Sequence, residues 1–367
     1  MIYNWQQADW PDFRFDPARV EDALLAIAAH SGKVSGLLAG LPTRLEAEAI
    51  LDLMIEEAIK SSAIEGEILP RHDVVSSIRN HLGLNTAPES VKNPMAEGAG
   101  NLMTTVRRTF AEPLSEDALL SWHSVLMQGA AGIKVGAWRC GSDPMQVASG
   151  LMHRPTVHFE APPATEVPPQ MARFIAWFNR TAPDGPLPLK HAAIRSGIAH
   201  VYFESIHPFE DGNGRIGRAL SEKALSQGMG HPVLLSLSRS IEAKRSAYYD
   251  ALEAAQRSND LTGWLAYFVE TVLHALLDSE RRILFVVKKA RFLDHHRATL
   301  SERQGKVIER MLEAGPDGFL GGMNSRKYIA LTGVSKATAT RDLQHLVATE
   351  ALLPCGGGRS ASYQLKL

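Results

Sequence analysis

Twelve consecutive residues concentrate the reactive side chains of this chain: His207-Pro208-Phe209-Glu210-Asp211-Gly212-Asn213-Gly214-Arg215-Ile216-Gly217-Arg218. The glycines let the backbone approach a ligand closely and aim N–H groups at it. The stretch 215–227 has a helical pattern, and a helix N-terminus at that place favours anions. Arg215 and Arg218, three residues apart on one helical face, add forked donors that suit phosphate oxygens better than lysine would. Asp211 would repel a bare polyphosphate, so its presence fits a site in which it holds a divalent cation, Mg2+, bridging the phosphates. His207 is the side chain of the run that accepts a proton near neutral pH. The chemistry implied is transfer of a phosphate-containing group to a hydroxyl.

The run resembles the signature of the Fic family: His, any residue, Phe, any residue, Asp or Glu, Gly-Asn-Gly-Arg, two more residues and Arg. Every fixed position is filled, with Asp211 at the acidic place and Glu210 at a variable one. Most members of that family transfer AMP from ATP to a Ser, Thr or Tyr hydroxyl of a protein. The resemblance implies that His207 is the general base, Phe209 anchors the loop in the core, and Gly212, Asn213 and Gly214 form an anion hole. It further implies that Arg215 and Arg218 bind the outer phosphates and Asp211 the Mg2+, with Ile216 and Gly217 completing the nucleotide-binding run. ATP is then the co-substrate. The reaction is in-line attack on the α-phosphorus, in which positioning and charge stabilisation dominate.

A second stretch, Ser61-Ser62-Ala63-Ile64-Glu65-Gly66, closes a helical pattern over 46–66 whose apolar face carries Ile50, Leu53, Met54 and Ala58. It resembles the inhibitory motif of the same family, Ser or Thr, three residues, Glu, then Gly or Asn. That likeness makes Ser61, Glu65 and Gly66 the inhibitory residues, with Glu65 pairing to Arg218 and mimicking the phosphate it excludes. Its position ahead of the reactive run is similar to the class with an N-terminal inhibitory helix. A related expectation is that Glu65 positions water for removal of AMP from a modified target.

Short β-like runs at 145–148 and 156–159 flank Ser149-Gly150-Leu151-Met152 and read as a hairpin within 139–163. In the family this place holds a flap that clamps the target protein as an added strand, so 145–159 is the expected docking site for a protein substrate. Beyond the reactive run, Tyr248 and Tyr249 lie on a helical stretch beginning near Ile241. The resemblance makes them walls for the nucleotide base, Tyr249 being favoured by spacing, and puts Gln256 where the family often has Asn.

These residues need a scaffold, and the chain supplies one. Its 367 residues hold enough apolar content for more than one core. Helical periodicity dominates from about 45 to 293, so the expected class is mainly α: a Fic-type helical bundle with a β-hairpin flap. The aromatic residues Trp5, Trp10, Phe13 and Phe15, followed by a helical pattern over 16–30, suggest a small N-terminal domain over 1–42, ahead of a catalytic domain over 43–295. A net charge of −1 argues against a general nucleic-acid coat. Two distant cysteines, Cys140 and Cys355, match no metal spacing and point to a reducing compartment. No apolar run reaches membrane-spanning length and the start shows no secretory pattern, so the cytoplasm is the expected location and no membrane is expected as a partner.

The C-terminal part differs in kind. Over 300–367 the order is helix, short helix, the turn Thr332-Gly333-Val334-Ser335, a longer helix over 336–350, and Cys355-Gly356-Gly357-Gly358-Arg359 between β-like runs. That order resembles a winged helix-turn-helix, with Thr338, Thr340, Arg341 and Gln344 exposed on the recognition helix. From 302 onward it carries nine Lys or Arg against six Asp or Glu, only a mild basic excess. Two functions follow as alternatives. One is an enzyme whose winged helix binds a protein partner or a second copy of the chain. The other is a DNA-binding regulator acting through 302–367.

Overall fold

The computed structural model describes residues 2–151, 154–356 and 361–367. In chain order its helices are α1 (Glu21–Ala39), α2 (Thr43–Ile64), α3 (Arg71–His81), α4 (Pro94–Arg108), α5 (Glu116–Leu126), α6 (Val167–Arg180) and α7 (Ala192–Ile206). They continue with α8 (Asn213–Met229), α9 (Leu237–Ala243), α10 (Arg245–Ala255), α11 (Thr262–His296), α12 (Glu302–Leu312), α13 (Ser325–Thr332) and α14 (Lys336–Ala348). Strands β1 (Gln146–Leu151) and β2 (Arg154–Glu160) form one antiparallel hairpin, and β3 (Leu352–Cys355) and β4 (Ser362–Leu365) another. The fold is mainly helical, as the periodicity implies. The chain divides into two compact units, Met1–Lys33 with Ile50–Ser279, and Val34–Ala49 with Glu280–Leu367.

The first unit is organised around α7 and α8. Every residue of α7 from Ala193 to Ile206 is buried, the mark of a helix enclosed on all sides rather than an amphipathic surface helix. One core gathers Phe174, Phe178, Tyr202, Phe203, Phe209, Ile216 and Leu220 with side chains of α2 to α6. A second packs Ile198, Val201 and Leu225 against α10 and α11 through Tyr248, Trp264 and Phe268. Burying aromatic side chains of this size contributes about 1.5–3 kcal/mol each. Because both cores include side chains of α7 and α8, the loop between these helices is anchored on two buried clusters.

Local chemistry sets the helix ends. Asn93 and Ser115 cap α4 and α5, accepting from the amides of Ala96 and Ala118 at 3.0 and 3.1 Å. Helix α8 stops at Gly230, whose φ of 76° only glycine adopts without cost. Helix α1 differs from the expected 16–30: Asp16 accepts from the Ala18 amide at 3.0 Å and holds Pro17–Arg19 in a 3-10 turn, so the α-helix starts at Glu21 and runs to Ala39. The stretch expected to start near Ile241 is two helices, broken at Lys244, whose backbone leaves the helical region at φ −133°, ψ 45°.

Trp5 and Trp10 pack into the first unit. Trp5 Nε1 donates to the Glu160 carbonyl at 2.8 Å, and Trp10 meets Tyr202 edge-on at 5.1 Å. Asn4, fully buried, donates from Nδ2 to Ser205 Oγ at 2.8 Å. The N-terminal residues therefore brace the last turn of α7.

In the second unit α12, α13, α14 and the β3–β4 hairpin enclose Val307, Ile308, Met311, Tyr328, Leu343, Leu346 and Leu352. Asp342 ties this core together, accepting from Tyr328 Oη at 2.9 Å and pairing with Arg303 Nε at 2.6 Å. The turn before α14 uses Gly333 at φ 71° and Ser335 as N-cap. Thr340, Arg341 and Gln344 are exposed on α14, while Thr338 is half-buried. Two expected features fall partly outside the described residues: Met152 at the tip of the first hairpin, and Gly357, Gly358 and Arg359 of the wing.

Candidate active site

His207 follows the last turn of α7 in the left-handed region, at φ 50° and ψ 61°. A non-glycine residue pays strain there and keeps it only when its surroundings insist. Arg139 provides the insistence. Its Nε donates to the His207 carbonyl at 2.7 Å, its Nη2 to the carbonyls of Pro162 at 2.5 Å and Ile206 at 3.3 Å, and its amide to Pro208 at 2.9 Å. The bend turns the chain out of α7 and presents the imidazole to a cleft.

The loop beyond is pinned from below. Phe209 is fully buried and stacks on His123 with centroids 4.0 Å apart. His123 Nδ1 accepts from the Gly136 amide at 2.9 Å, which leaves Nε2 as the protonated nitrogen facing the Asp211 carbonyl at 3.1 Å. The Asn213 side chain bonds both backbone groups of Phe209, at 2.9 and 2.8 Å. Its side chain thus cinches the loop, and what Gly212, Asn213 and Gly214 offer an anion is backbone at the start of α8. Gly212 is the N-cap at φ 82°.

Both arginines are buried on α8, and both are occupied. Arg218 donates from Nε to Ser61 Oγ at 2.9 Å and from Nη2 to the Ser61 carbonyl at 2.8 Å, and it pairs with Glu65 Oε1 at 2.8 Å. Glu65 and Gly66 lie just past the end of α2, in a turn closed by the Glu65 amide to the Ser62 carbonyl at 3.1 Å and by Gly66 at φ 88°. The helix expected over 46–66 thus begins at Thr43 and ends at Ile64, immediately before Glu65. Arg215 Nη1 pairs with Glu67 Oε2 at 2.6 Å, a partner the sequence reading missed, although the spacing Glu65-Gly66-Glu67 sends two carboxylates to one place. A methyl group added at Gly214 would overlap the Glu65 carboxylate, which therefore lies directly against α8 at this glycine.

A cleft of about 470 Å³ opens beside these groups, within the range of small-molecule sites. Glu65, Glu204, His207, Gly214, Tyr248 and Tyr249 line it, together with Val147 to Ser149 and His158 of the hairpin. Tyr248 is buried and bonds His200 Nε2 at 2.8 Å, whereas Tyr249 is more exposed and donates to the Ile64 carbonyl at 3.1 Å. Gln256 Nε2 donates to the Glu204 carbonyl at 3.2 Å. Ile216 is wholly buried and faces the core, and Gly217 lies under the Glu204 carboxyl.

The electrostatics suit proton abstraction. Burial, and after it the Arg139 guanidinium, hold the His207 imidazole down to about 4, so it is neutral at pH 7. Burial, and then the Glu65 carboxylate, push Glu204 up to about 8. Burial opposes charge on Arg218, but Glu65 outweighs it and holds the guanidinium above its ordinary range.

Asp211 is 56 % exposed, with Oδ1 taking the Gly212 amide at 2.6 Å and lying 3.5 Å from Arg215 Nη2. Among the described residues no three His, Cys, Asp or Glu side chains gather as a metal site. A lone, open carboxylate fits Mg2+ that arrives with phosphate oxygens and keeps several waters, not a resident ion. Among the described residues no helix is long and apolar enough to cross a membrane.

Known proteins resemble parts of this chain and its fold. The Fic/DOC family model matches residues 113–225, a domain of unknown function (DUF4172) matches 3–84, and the C-terminal domain of the DIP2311-like transcriptional regulator family matches 318–366. Proteins named protein adenylyltransferase Fic from Culex quinquefasciatus and Drosophila mojavensis are each 34% identical over 89 residues. That match takes in 24% of this chain and only 16% of each relative's length. A Fic family protein from Desulfovibrio desulfuricans has the same fold, with TM-score 0.52 and 22% identity over 97% of this chain and 98% of that one. Fic-1 from C. elegans superimposes with TM-score 0.51 and 19% identity over 75% of this chain and 74% of its own. At such identities the structures speak for the fold. The family model lies over the helices that carry His207 and both arginines, so residues 113–225 form a Fic/DOC family domain.

Proposed function

We propose that the protein is an adenylyltransferase that transfers AMP from ATP to a Ser, Thr or Tyr hydroxyl of a target protein, itself included, and that Glu65 restrains it. The observation that carries this reading is the pairing of Glu65 with buried Arg218 beside a neutral His207 in one cleft. A carboxylate seated on a guanidinium at the start of a helix stands where a phosphate would.

His207 Nδ1 is buried, so Nε2 is the nitrogen that serves the cleft. It takes the proton as the target oxygen attacks the α-phosphorus. The bond from that phosphorus to the bridging oxygen breaks, and pyrophosphate leaves with the electron pair. Arg215 and Arg218 hold the outer phosphates once Glu67 and Glu65 withdraw, and the α8 amides face the developing charge. Asp211 would hold Mg2+ with the phosphate oxygens, and that ion would offset charge on the leaving group. The target segment docks along the β1–β2 hairpin, whose strands line the cleft. Intact-mass analysis of Glu65→Gly after incubation with ATP and Mg2+ tests the reading. An AMP-sized adduct that Glu65→Gly/His207→Ala lacks supports it; a phosphate-sized adduct refutes it.

A second activity belongs to the second unit. Its helix-turn-helix, the exposed Thr340, Arg341 and Gln344, and the match at 318–366 favour DNA as its partner. Log-affinity for duplex DNA should fall by several units per log unit of salt. Absence of binding at moderate salt would refute that assignment.

A further inference from the structure

Glu204 has no role in the family signature, yet it is the closest carboxyl to the general base. It lies one turn before His207 at the end of α7, with Oε2 3.8 Å from His207 Nδ1. The side chain is 6 % exposed, and its Oε1 is buried without a hydrogen-bond partner, as is His207 Nδ1. A buried carboxyl with an unpartnered oxygen, its other oxygen 3.8 Å from an unpartnered ring nitrogen, requires an explanation, since buried polar atoms are otherwise nearly always paired. Gly217 on α8 clears the space: a Cβ there would collide with Glu204 Oε1. The fold thus keeps room for a carboxyl at this point and aims it at the inner nitrogen of the ring.

We propose that Glu204 is the positioning acid of His207: ionised, it accepts the Nδ1 proton, so that Nε2 is left free to take the proton of the target hydroxyl. The proposal rests on the transferase reading. Its logic is that of a base held by a third group, in which the acid selects the tautomer and stabilises the imidazolium without itself touching substrate. During transfer the hydroxyl proton moves to Nε2, and the imidazolium with the Glu204 carboxylate forms a net-neutral buried pair. With Glu204 protonated the relation reverses: its O–H donates to Nδ1, the ring proton moves to Nε2, and the base is disabled. Burial and the Glu65 carboxylate favour that protonated form. Glu65 therefore restrains the site twice, by covering Arg218 and by keeping Glu204 neutral.

The groups facing this pair are Glu65 after α2, Arg218 on α8, Tyr248 on α10, His200 on α7, and Arg139 and Asp211 from the flanking loops. The Glu204 backbone carbonyl also faces the ring and is the competing partner for Nδ1–H.

The pH dependence separates the two. In Glu65→Gly the base is competent only once the pair has lost its proton, so transfer rises with pH through the titration of the pair. In Glu65→Gly/Glu204→Gln only the imidazole must be neutral. The rising limb then moves to lower pH by about one unit or more, and the plateau falls about 10- to 100-fold. An unchanged midpoint, whatever the plateau, overturns the proposal and leaves the backbone carbonyl as the orienting group. A second measurement needs no change at Glu204 and no reaction. In the full chain with 15N-labelled histidine, with His207 assigned by comparison with His207→Ala, its ring nitrogens are followed from about pH 5 to 9. The proposal requires a shift from the Nε2–H to the Nδ1–H tautomer as Glu204 ionises. A single tautomer throughout overturns it. Absence of AMP transfer in every variant would count against the transferase reading and leave this titration standing.

Discussion

If Glu65 restrains the site as proposed, Glu67 should limit ATP binding in the same way, because each carboxylate pairs with one of the two arginines proposed to hold phosphate. Arg215 is 3 % exposed and Glu67 25 %, with 2.6 Å between Nη1 and Oε2. Exposed ion pairs contribute roughly 0–1 kcal/mol, and close pairs in desolvated sites about 1.5–7 kcal/mol. A buried guanidinium with a partly wetted carboxylate belongs near the low end of the second range, about 1.5–2 kcal/mol, which is roughly 10- to 30-fold in affinity. Glu67→Gln keeps the size of the side chain and removes the charge. In a His207→Ala background, which prevents turnover, calorimetric titration with ATP and Mg2+ should show Glu67→Gln binding roughly 10- to 30-fold more tightly than its parent, and Glu65→Gly/Glu67→Gln more tightly than either single change. Because both residues lie on one short segment, the two gains will combine less than fully. If Glu67→Gln left ATP affinity unaltered, and adding it to Glu65→Gly also did nothing, the second pairing would have no part in restraint.

Backbone strain at His207 predicts that His207→Gly is more stable than His207→Ala by about 1 kcal/mol in urea unfolding, because only glycine relaxes at φ 50°; equal stabilities would contradict the strain. Glu204 is raised from the ordinary 4.5 to about 8 in the folded chain. A carboxyl raised on folding contributes stability that is full below its unfolded value and lost as pH rises through the folded one. Thermal midpoints of the parent should therefore fall between about pH 5 and 9, and Glu204→Gln should flatten that slope; a parallel slope in the variant would refute the assignment.

The reactive run was legible because its chemistry is contiguous: base, acid, glycines and arginines lie within one loop and one helical turn. Glu65 was legible for a different reason, since its motif is local even though Arg218 is distant in the chain. Glu67 and Arg139 were not, because an ion pair and a carbonyl clamp form only when separate segments fold together. Glu204 stood in plain view at helical spacing from His207, but its significance depends on burial and on the space Gly217 leaves, which sequence does not display. The mainly helical class followed from periodicity, whereas the start of α1 and the break between α9 and α10 turned on a side-chain cap and a single backbone angle. Asn213 shows the limit of reasoning by residue type: that its side chain stitches Phe209 to the loop, leaving its backbone amide to face an anion, depends on the folded loop.

The most direct test of the central claim follows the phosphorus. Glu65→Gly protein, alone and with candidate protein targets, is incubated with Mg2+ and ATP labelled at either the α- or the γ-phosphate. AMP transfer by His207 leaves protein-bound label from the α-position alone, lost on His207→Ala. Label retained from the γ-position, or α-label that survives His207→Ala, would contradict it.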